Sequence, residues 1–303
     1  MHLFSPAVGL KSYDSRPAMD KLIKGIIDEA IRDNRVIYSF DERSQDGFFE
    51  AQINKSLVKY GKNDVAGISV RGIYNPETKD FLQTFYFPYV EGEEPYFNLE
   101  LFMERQNDRE AYMVHCSETK KEVAPIFFLR NIVEYLNHFD GIKTINERMV
   151  FLSALATEGK VIFPVQKTKE QIERCKAALK ERGKLINRAL NGDKEAMDSL
   201  TIGDYDVLSN VCRRIKKEDV YSVVDSSFIP SGLECDAYSV VGNILDVNSL
   251  TNEVSGEEIY YMLVECNDYE FSLAINKEDL FGLPQPGFRF VGKIWLQGSI
   301  FID

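Results

Sequence analysis

Several groups of residues in this 303-residue chain have types and spacings that could do chemistry. Near the C-terminus stand Tyr260, Tyr261, Phe288, Arg289, Phe290, Trp295 and Gln297, aromatics beside a fork-shaped cation. Such residues anchor protein partners or stack on single-stranded nucleic acid. Charge argues against the second use, because each phosphate contacted needs a compensating cation. Residues 231–303 carry three basic side chains, Lys277, Arg289 and Lys293, against twelve acidic ones. Arg289, Trp295 and Gln297 with Tyr260 or Tyr261 are therefore the candidate contacts for a protein or small-molecule partner, and the other aromatics read as core.

Carboxylates are the next candidates. Asp225, Glu234 and Asp236 would serve a hydrolase-type enzyme if they converge in a pocket. A third possibility is nucleic-acid association through Arg213, Arg214, Lys216 and Lys217, in a stretch (166–217) with thirteen Lys and Arg against eight acids. Glu170, Glu173 and Glu181 interrupt those cations at helical spacing, the pattern of a solvated charged face. Metal chemistry finds little purchase. His2, His115 and His138 fall in no HExxH spacing, and His115 and Cys116, adjacent in a strand, point to opposite faces. Asp246, Asn248, Asn252 and Glu253 offer oxygens but lack the central glycine and terminal glutamate of an EF-hand loop. There is no GxxxxGK[ST], GxGxxG or GxSxG run, so no cofactor is expected.

Composition sets the frame. Hydrophobic content of 44% and charged content of 28% are those of a soluble globular protein. No apolar run reaches the roughly 18 residues of a membrane span, and Met1–Leu10 lacks the pattern of a secretory signal. The five cysteines are scattered, with no CxxC pair; they read as reduced thiols of a cytoplasmic protein.

The elements that must position these residues follow from periodicity. Pro17 opens a helix whose apolar positions, Met19 to Ile31, share one face to about Asn34. Period-two segments follow around Phe49–Ile53, Ile68–Tyr74, Phe81–Val90, Phe97–Met103 and Ala111–Cys116, with a turn at Asn75-Pro76-Glu77-Thr78. They predict an antiparallel sheet with one face covered, by the first helix and a second over Ile126–Phe139. A short helix near Met149–Leu155 and a strand at Val161–Val165 lead into charged helices over 168–217. Strands at Leu233–Val247, Glu258–Cys266, Tyr269–Asn276 and Phe288–Ile302, with one helical turn at Lys277–Gly282, suggest a small barrel. An oligonucleotide-binding (OB) barrel needs two final strands, whereas here one segment runs on with only Gly292 and Gly298 as breaks.

The run Glu218-Asp219-Val220-Tyr221-Ser222-Val223-Val224-Asp225, then Phe228-Ile229-Pro230 and Glu234-Cys235-Asp236, resembles a family of uncharacterised bacterial proteins known only as a domain of unknown function. The close Arg289-Phe290-x-Gly292-x-Ile294-Trp295-Leu296-Gln297-Gly298 shares the resemblance, which covers nearly the whole chain and implies no activity, catalytic residue or cofactor.

The expectation is thus an α+β protein in three parts: an N-terminal antiparallel sheet with covering helices (1–160), a charged helical segment (161–227), and an acidic antiparallel β-barrel (228–303), OB-like or generic. Its expected role is that of a cytoplasmic bacterial binding or regulatory protein without enzyme activity. The alternatives are a carboxylate-dependent enzyme and a nucleic-acid-associated protein.

Overall fold

The computed structural model describes residues 2–39, 47–106, 111–117, 125–138, 145–164, 193–195, 199, 226–231, 236–267 and 269–302. The chain divides into one unit formed by Met1–Ile162 with Ser226–Asp303, and a second, Phe163–Asp225. The charged helices expected over 168–217 lie almost wholly outside the described residues. Val161 and Ile162, in the strand expected over Val161–Val165, end a longer strand of the first unit, Ile145–Ile162.

At the N-terminus a 3-10 turn, Ser5–Val8, is closed by Gly9 at a φ of 77°, the left-handed conformation glycine adopts without strain. Helix α1 (Arg16–Arg32) begins where Pro17 pre-sets the first turn and buries Met19, Ile23, Ile26 and Ala30. Strands β1 (Ile37–Tyr38), β2 (Phe49–Tyr60), β3 (Asn63–Asn75) and β4 (Asp80–Val90) form an antiparallel sheet in chain order. The β3–β4 turn is the expected one, and the Asn75 carboxamide oxygen accepts from the N–H of Glu77 at 2.9 Å and of Thr78 at 3.2 Å. The α1 residues share an apolar cluster with Ile53, Ile68 and Val70. The opposite face is not solvated as its polar residues suggest, for Val65 to Gly72 of β3 are buried without interruption.

The remaining strands are β5 (Pro95–Gln106), β6 (Ala111–Ser117), β7 (Ile126–Leu129), β8 (Ile145–Ile162), β9 (Ser227–Pro230), β10 (Ala237–Thr251), β11 (Glu258–Cys266), β12 (Tyr269–Asn276), β13 (Leu280–Phe281) and β14 (Arg289–Ile300). Helix α2 (Ile132–His138) follows β7. Successive antiparallel pairings join β10 to β11 and β11 to β12. Strand β12 runs parallel to β8, β8 antiparallel to β14, and β14 returns to β10, closing a five-stranded barrel. Its fifth wall thus comes from residues 145–162, not from the C-terminal segment. The same two long strands carry a second closed circuit, since β8 pairs β5, β5 pairs β6, β6 pairs β7, and β7 runs parallel to the end of β14.

Gly292 and Gly298 do not break β14. A Cβ at Gly298 would stand 2.5 Å from the Phe127 ring, and one at Gly292 2.6 Å from Phe290. Both glycines leave room for aromatic rings against an unbroken strand.

Four expectations need correction. Among the described residues of the first unit only α1 and α2 are α-helices, so that unit is mostly β and the α+β reading holds only coarsely. The helix expected over Ile126–Phe139 is a strand to Leu129 and a helix only from Ile132. The short helix near Met149–Leu155 is part of β8, because an apolar run buried on both faces carries no period that separates helix from strand. The expected N-terminal sheet likewise splits, with β5 and β6 leaving β1–β4 to join the second circuit.

Alternation in the barrel strands serves two cores. Tyr260, Met262 and Val264 of β11, Phe271, Leu273 and Ile275 of β12, and Phe290, Ile294 and Leu296 of β14 belong to one apolar cluster. Their neighbours Ile259, Tyr261, Ala274, Leu155 and Trp295 belong to the other, with Ala7, Val8 and the buried residues of β2–β4. The N-terminal turn and the four-stranded sheet therefore cover the outside of the barrel.

Candidate functional site

Register decides which side chains of the β1–β4 sheet share a face. Gln52 pairs with Arg71 and Asn54 with Ser69, while Phe87 and Phe85 of β4 stand opposite Ser69 and Arg71. These residues therefore lie on the side away from α1, and Gln52, Ser69, Arg71 and Phe87 are all buried. Arg71 is held by a Glu50 ion pair and lies 5.3 Å from the Phe85 ring centre.

Arg130 comes to this face from the other side. It directly follows β7, where its backbone N–H donates to the Gly298 carbonyl of β14 at 2.9 Å. Its side chain is 7% exposed, and one terminal nitrogen donates to Glu91 Oε2 at 2.7 Å and to Ser299 Oγ at 3.2 Å. The guanidinium lies 5.6 Å from the Tyr89 ring centre. Burial disfavours its charge, but the charge and hydrogen bond of Glu91, with Glu134 farther off, outweigh that and hold the pKa above its ordinary value. Burial likewise pushes the Tyr89 phenol up.

Around Arg130 lies a cleft of about 450 Å³, within the size range of ligand pockets. Gln52, Asn54, Ser69 and Asn131 line it with Glu91 and Glu134; Phe87, Tyr89, Phe151 and Phe301 form apolar walls. Gln52 Nε2 donates to Asn54 Oδ1 at 2.8 Å and to the Arg130 carbonyl at 3.0 Å, which fixes the amide's orientation. The Asn131 carboxamide is spent on the backbone of Ile300, donating at 2.8 Å and accepting at 3.1 Å, and so pins the end of β14. Three atoms of the lining residues remain buried with no hydrogen-bond partner among the described residues: Gln52 Oε1, Ser69 Oγ and Arg130 Nε. An orphaned buried polar atom costs about 1–3 kcal/mol. The cavity itself, with the Arg130–Glu91 ion pair in its wall, is the candidate site.

The residues singled out from sequence lie elsewhere. Arg289, Trp295, Gln297, Tyr260 and Tyr261 are each 8% exposed or less, so none forms an outer face that a partner could meet. Trp295 Nε1 donates to Asp236 Oδ2 at 2.6 Å, Gln297 Nε2 to the Pro88 carbonyl at 2.9 Å, and the Tyr261 hydroxyl to the Glu91 carbonyl at 3.2 Å. Lys277 Nζ stands 6.0 Å from the Tyr260 ring centre. Asp236 is buried against Trp295 and outside the cleft, while Asp225, Glu234, Arg213, Arg214, Lys216 and Lys217 lie outside the described residues.

Asn252 of the oxygen-rich loop caps its own turn through Val254 and Ser255 and donates to the Val8 carbonyl at 2.7 Å. Among the described residues no cluster of His, Cys, Asp and Glu is placed to hold a metal ion. The Cys266 thiol is buried, donates to the carbonyls of Ser227 and Val241, and has its pKa pushed up to about 12 by burial.

Sequence reasoning missed the cleft because its residues sit on the strand face taken as solvated. One signal was available. Ser69 and Arg71 interrupt the run Val65 to Ile73, and Arg130 ends the run Ile126 to Leu129, polar groups where an apolar stretch would otherwise continue.

Among the described residues no helix is long and apolar enough to cross a membrane. Comparison with known families matches residues 6–298 to DUF3881, described as "Domain of unknown function, E. rectale Gene description". No curated protein matches the chain. No solved structure matches it either.

Proposed function

For a chain that belongs to the DUF3881 family, whose description carries no activity, we propose a cytoplasmic bacterial binding or regulatory protein without enzyme activity. Its ligand site is the cleft at Arg130. The observation that carries this reading is a cavity of about 450 Å³ in which the ion pair of the buried Arg130 with the half-exposed Glu91 stands beside the rings of Phe151 and Phe301. Groups around the cavity are spent on position: Glu91 and Ser299 hold the guanidinium, and Asn131 holds the end of β14. Such an arrangement presents fixed donors and acceptors to a small molecule. A buried reduced thiol at Cys266 accords with a reducing compartment.

The barrel supports the same choice of site. We read its circular order, β10, β11, β12, β8, β14, as that of an OB-like barrel whose last strand has moved to the front of the chain. OB barrels bind oligonucleotides and oligosaccharides on the face of their second and third strands, here β11 and β12. In this chain the outer residues of that face, Ile259, Tyr261 and Ala274, are buried under the N-terminal turn and the four-stranded sheet. With that face covered, a ligand of this chain is assigned to the cleft at Arg130 and not to the barrel surface.

The test is a thermal-shift and calorimetric screen of polar metabolites, covering sugars, amino acids, polyamines and nucleotides, against wild type, Asn54→Ala and Arg130→Met, substitutions at two residues that line the cleft. At least one compound is expected to stabilise the wild type saturably and to lose tenfold or more in affinity in the variants. Ligands that bind all three proteins equally would place the site elsewhere. No binding by any class would end the reading, and turnover of a bound compound would replace it with an enzyme.

A further inference from the structure

We propose, on the premise that the cleft at Arg130 is the ligand site, that its ligand is a small organic cation, a protonated or quaternary amine on a short apolar body. The argument begins with what an occupant can reach. Arg130 is buried and its charge is met by Glu91 Oε2 at 2.7 Å, so the wall's one cation is matched before a ligand enters. Glu91 is half-exposed, and its Oε1 has no hydrogen bond or ion pair among the described residues. Glu134, in the first turn of α2, lines the same cleft half-buried, and no hydrogen bond or ion pair holds its carboxylate among the described residues. One cation, Arg130, against two carboxylates leaves the lining one charge negative. The reachable polar groups of highest charge are therefore the carboxylate oxygens.

The rings supply the other half of the chemistry. Phe151 of β8 and Phe301, just beyond β14, both line the cleft with ring centres 6.5 Å apart and planes at 59°, and Phe301 is 43% exposed. The face of a phenyl ring carries partial negative charge, so it attracts a cation while covering the alkyl groups that bear it. Other classes of ligand fit fewer of these groups. An anion meets a net negative wall on a chain of net charge −12. A neutral compound covers the carboxylates without supplying a charge to offset their loss of water. A bare divalent ion needs several oxygen ligands and no ring, and among the described residues no cluster of His, Cys, Asp and Glu is placed to hold one. An organic cation uses both sets, its charge against Glu91 and Glu134 and its C–H surface against Phe151 and Phe301. Arg130 acts here as a positioning residue, because its bond to Oε2 fixes where the Glu91 carboxylate stands. Arg130→Met loosens that carboxylate and weakens binding even though it removes a like charge.

Binding is measured by titration calorimetry and ligand-observed NMR on the full chain. The cationic probes are choline, putrescine, agmatine and spermidine. The controls are the neutral isostere of choline, in which carbon replaces the charged nitrogen, with glucose, citrate and inorganic phosphate. At least one cation is expected to bind saturably, at least tenfold tighter than every control, and to weaken at least tenfold in Glu134→Gln and about threefold in Phe301→Leu, the scale of a cation over an exposed ring. Both variants should melt close to wild type, since the Glu134 carboxylate holds nothing in place and Phe301 is partly in water; this separates a lost contact from a lost fold. If the isostere, glucose, citrate or phosphate binds best and Asn54→Ala and Arg130→Met weaken it, the cleft stands as the ligand site and the cation assignment falls. Cations that bind wild type, Glu134→Gln and Phe301→Leu equally are held elsewhere on an acidic surface, which overturns the proposal. If no probe of either set binds, both readings fall.

Discussion

The Arg130–Glu91 pair is asymmetric at the level of single side chains: the cation is 7% exposed and the carboxylate 45%. Removing the partner of a buried charge is far costlier than removing the charge itself. Glu91→Ala strands a guanidinium in the wall of the cleft and should cost about 3 kcal/mol. Arg130→Met lets Glu91 return to water and should give the smaller loss of the two. Urea unfolding of both variants measures the order, and a reversed order would show that Arg130 is solvated in solution. These residues were legible in the sequence only as interruptions of apolar runs. Trp295, by contrast, looked like a contact for a partner, and its indole N–H is spent on Asp236 inside the protein.

At the level of elements, the N-terminal segment is a strap laid on the barrel. Glu257 accepts from the backbone N–H groups of Lys11 and Ser12 at 2.9 and 2.6 Å, and from Asn276 at 2.9 Å. Burial works against that carboxylate's charge, yet the bonds to Ser12, Lys11 and Asn276 hold its pKa below the ordinary range. At the head of the strap His2 lies 4.9 Å from the Trp295 ring and near Phe4. Burial, helped by the N-terminal charge, lowers the His2 pKa from 6.5 to about 4. Between those values the unfolded chain takes up a proton that the folded chain does not, so stability falls as pH drops from 6.5 towards 4. At about 1.4 kcal/mol per unit, the loss approaches about 3 kcal/mol. His2→Phe keeps the ring and removes the titration, so its melting temperature should vary less over that window; equal slopes for both proteins would contradict the burial of His2. Most of these elements were legible. The bounds of α1, β11 and β12 follow from period and turn residues, whereas β8 was not found because its run Leu152–Ala156, buried on both faces, has no alternation to show.

At the level of the whole first unit, the barrel is closed by a strand that arrives from the other end of the sequence. Residues 226–303 alone lack the wall between β12 and β14, leaving two open edges and an exposed interior. That fragment should not unfold cooperatively. Ile300 pairs with Val150, so a short turn can lead from the end of β14 directly into β8. Fusing residues 148–162 behind Asp303 should restore cooperative melting by circular dichroism and a dispersed Trp295 indole proton. The fused fragment exposes the outer patch of the first with Leu155 added, so a gain in cooperativity comes from the restored wall and not from a smaller exposed surface; identical behaviour of the two would refute the shared wall.

The sequence by itself determined most of the local elements, the acidic balance of the C-terminal segment and the family resemblance, because period, turn chemistry and charge are properties of neighbours along the chain. Partner strands, covered faces and the cleft depend on residues that are distant in sequence. Alternation shows that a strand has two faces, but what covers the second face is set elsewhere in the chain. Here the outside of the barrel lies against the face bearing Gln52, Ser69 and Arg71, and Arg130 arrives from the end of β7. Only that meeting turned a row of polar residues from an apparent solvent face into a candidate binding site, and moved Arg289, Trp295 and Gln297 from a surface to a core.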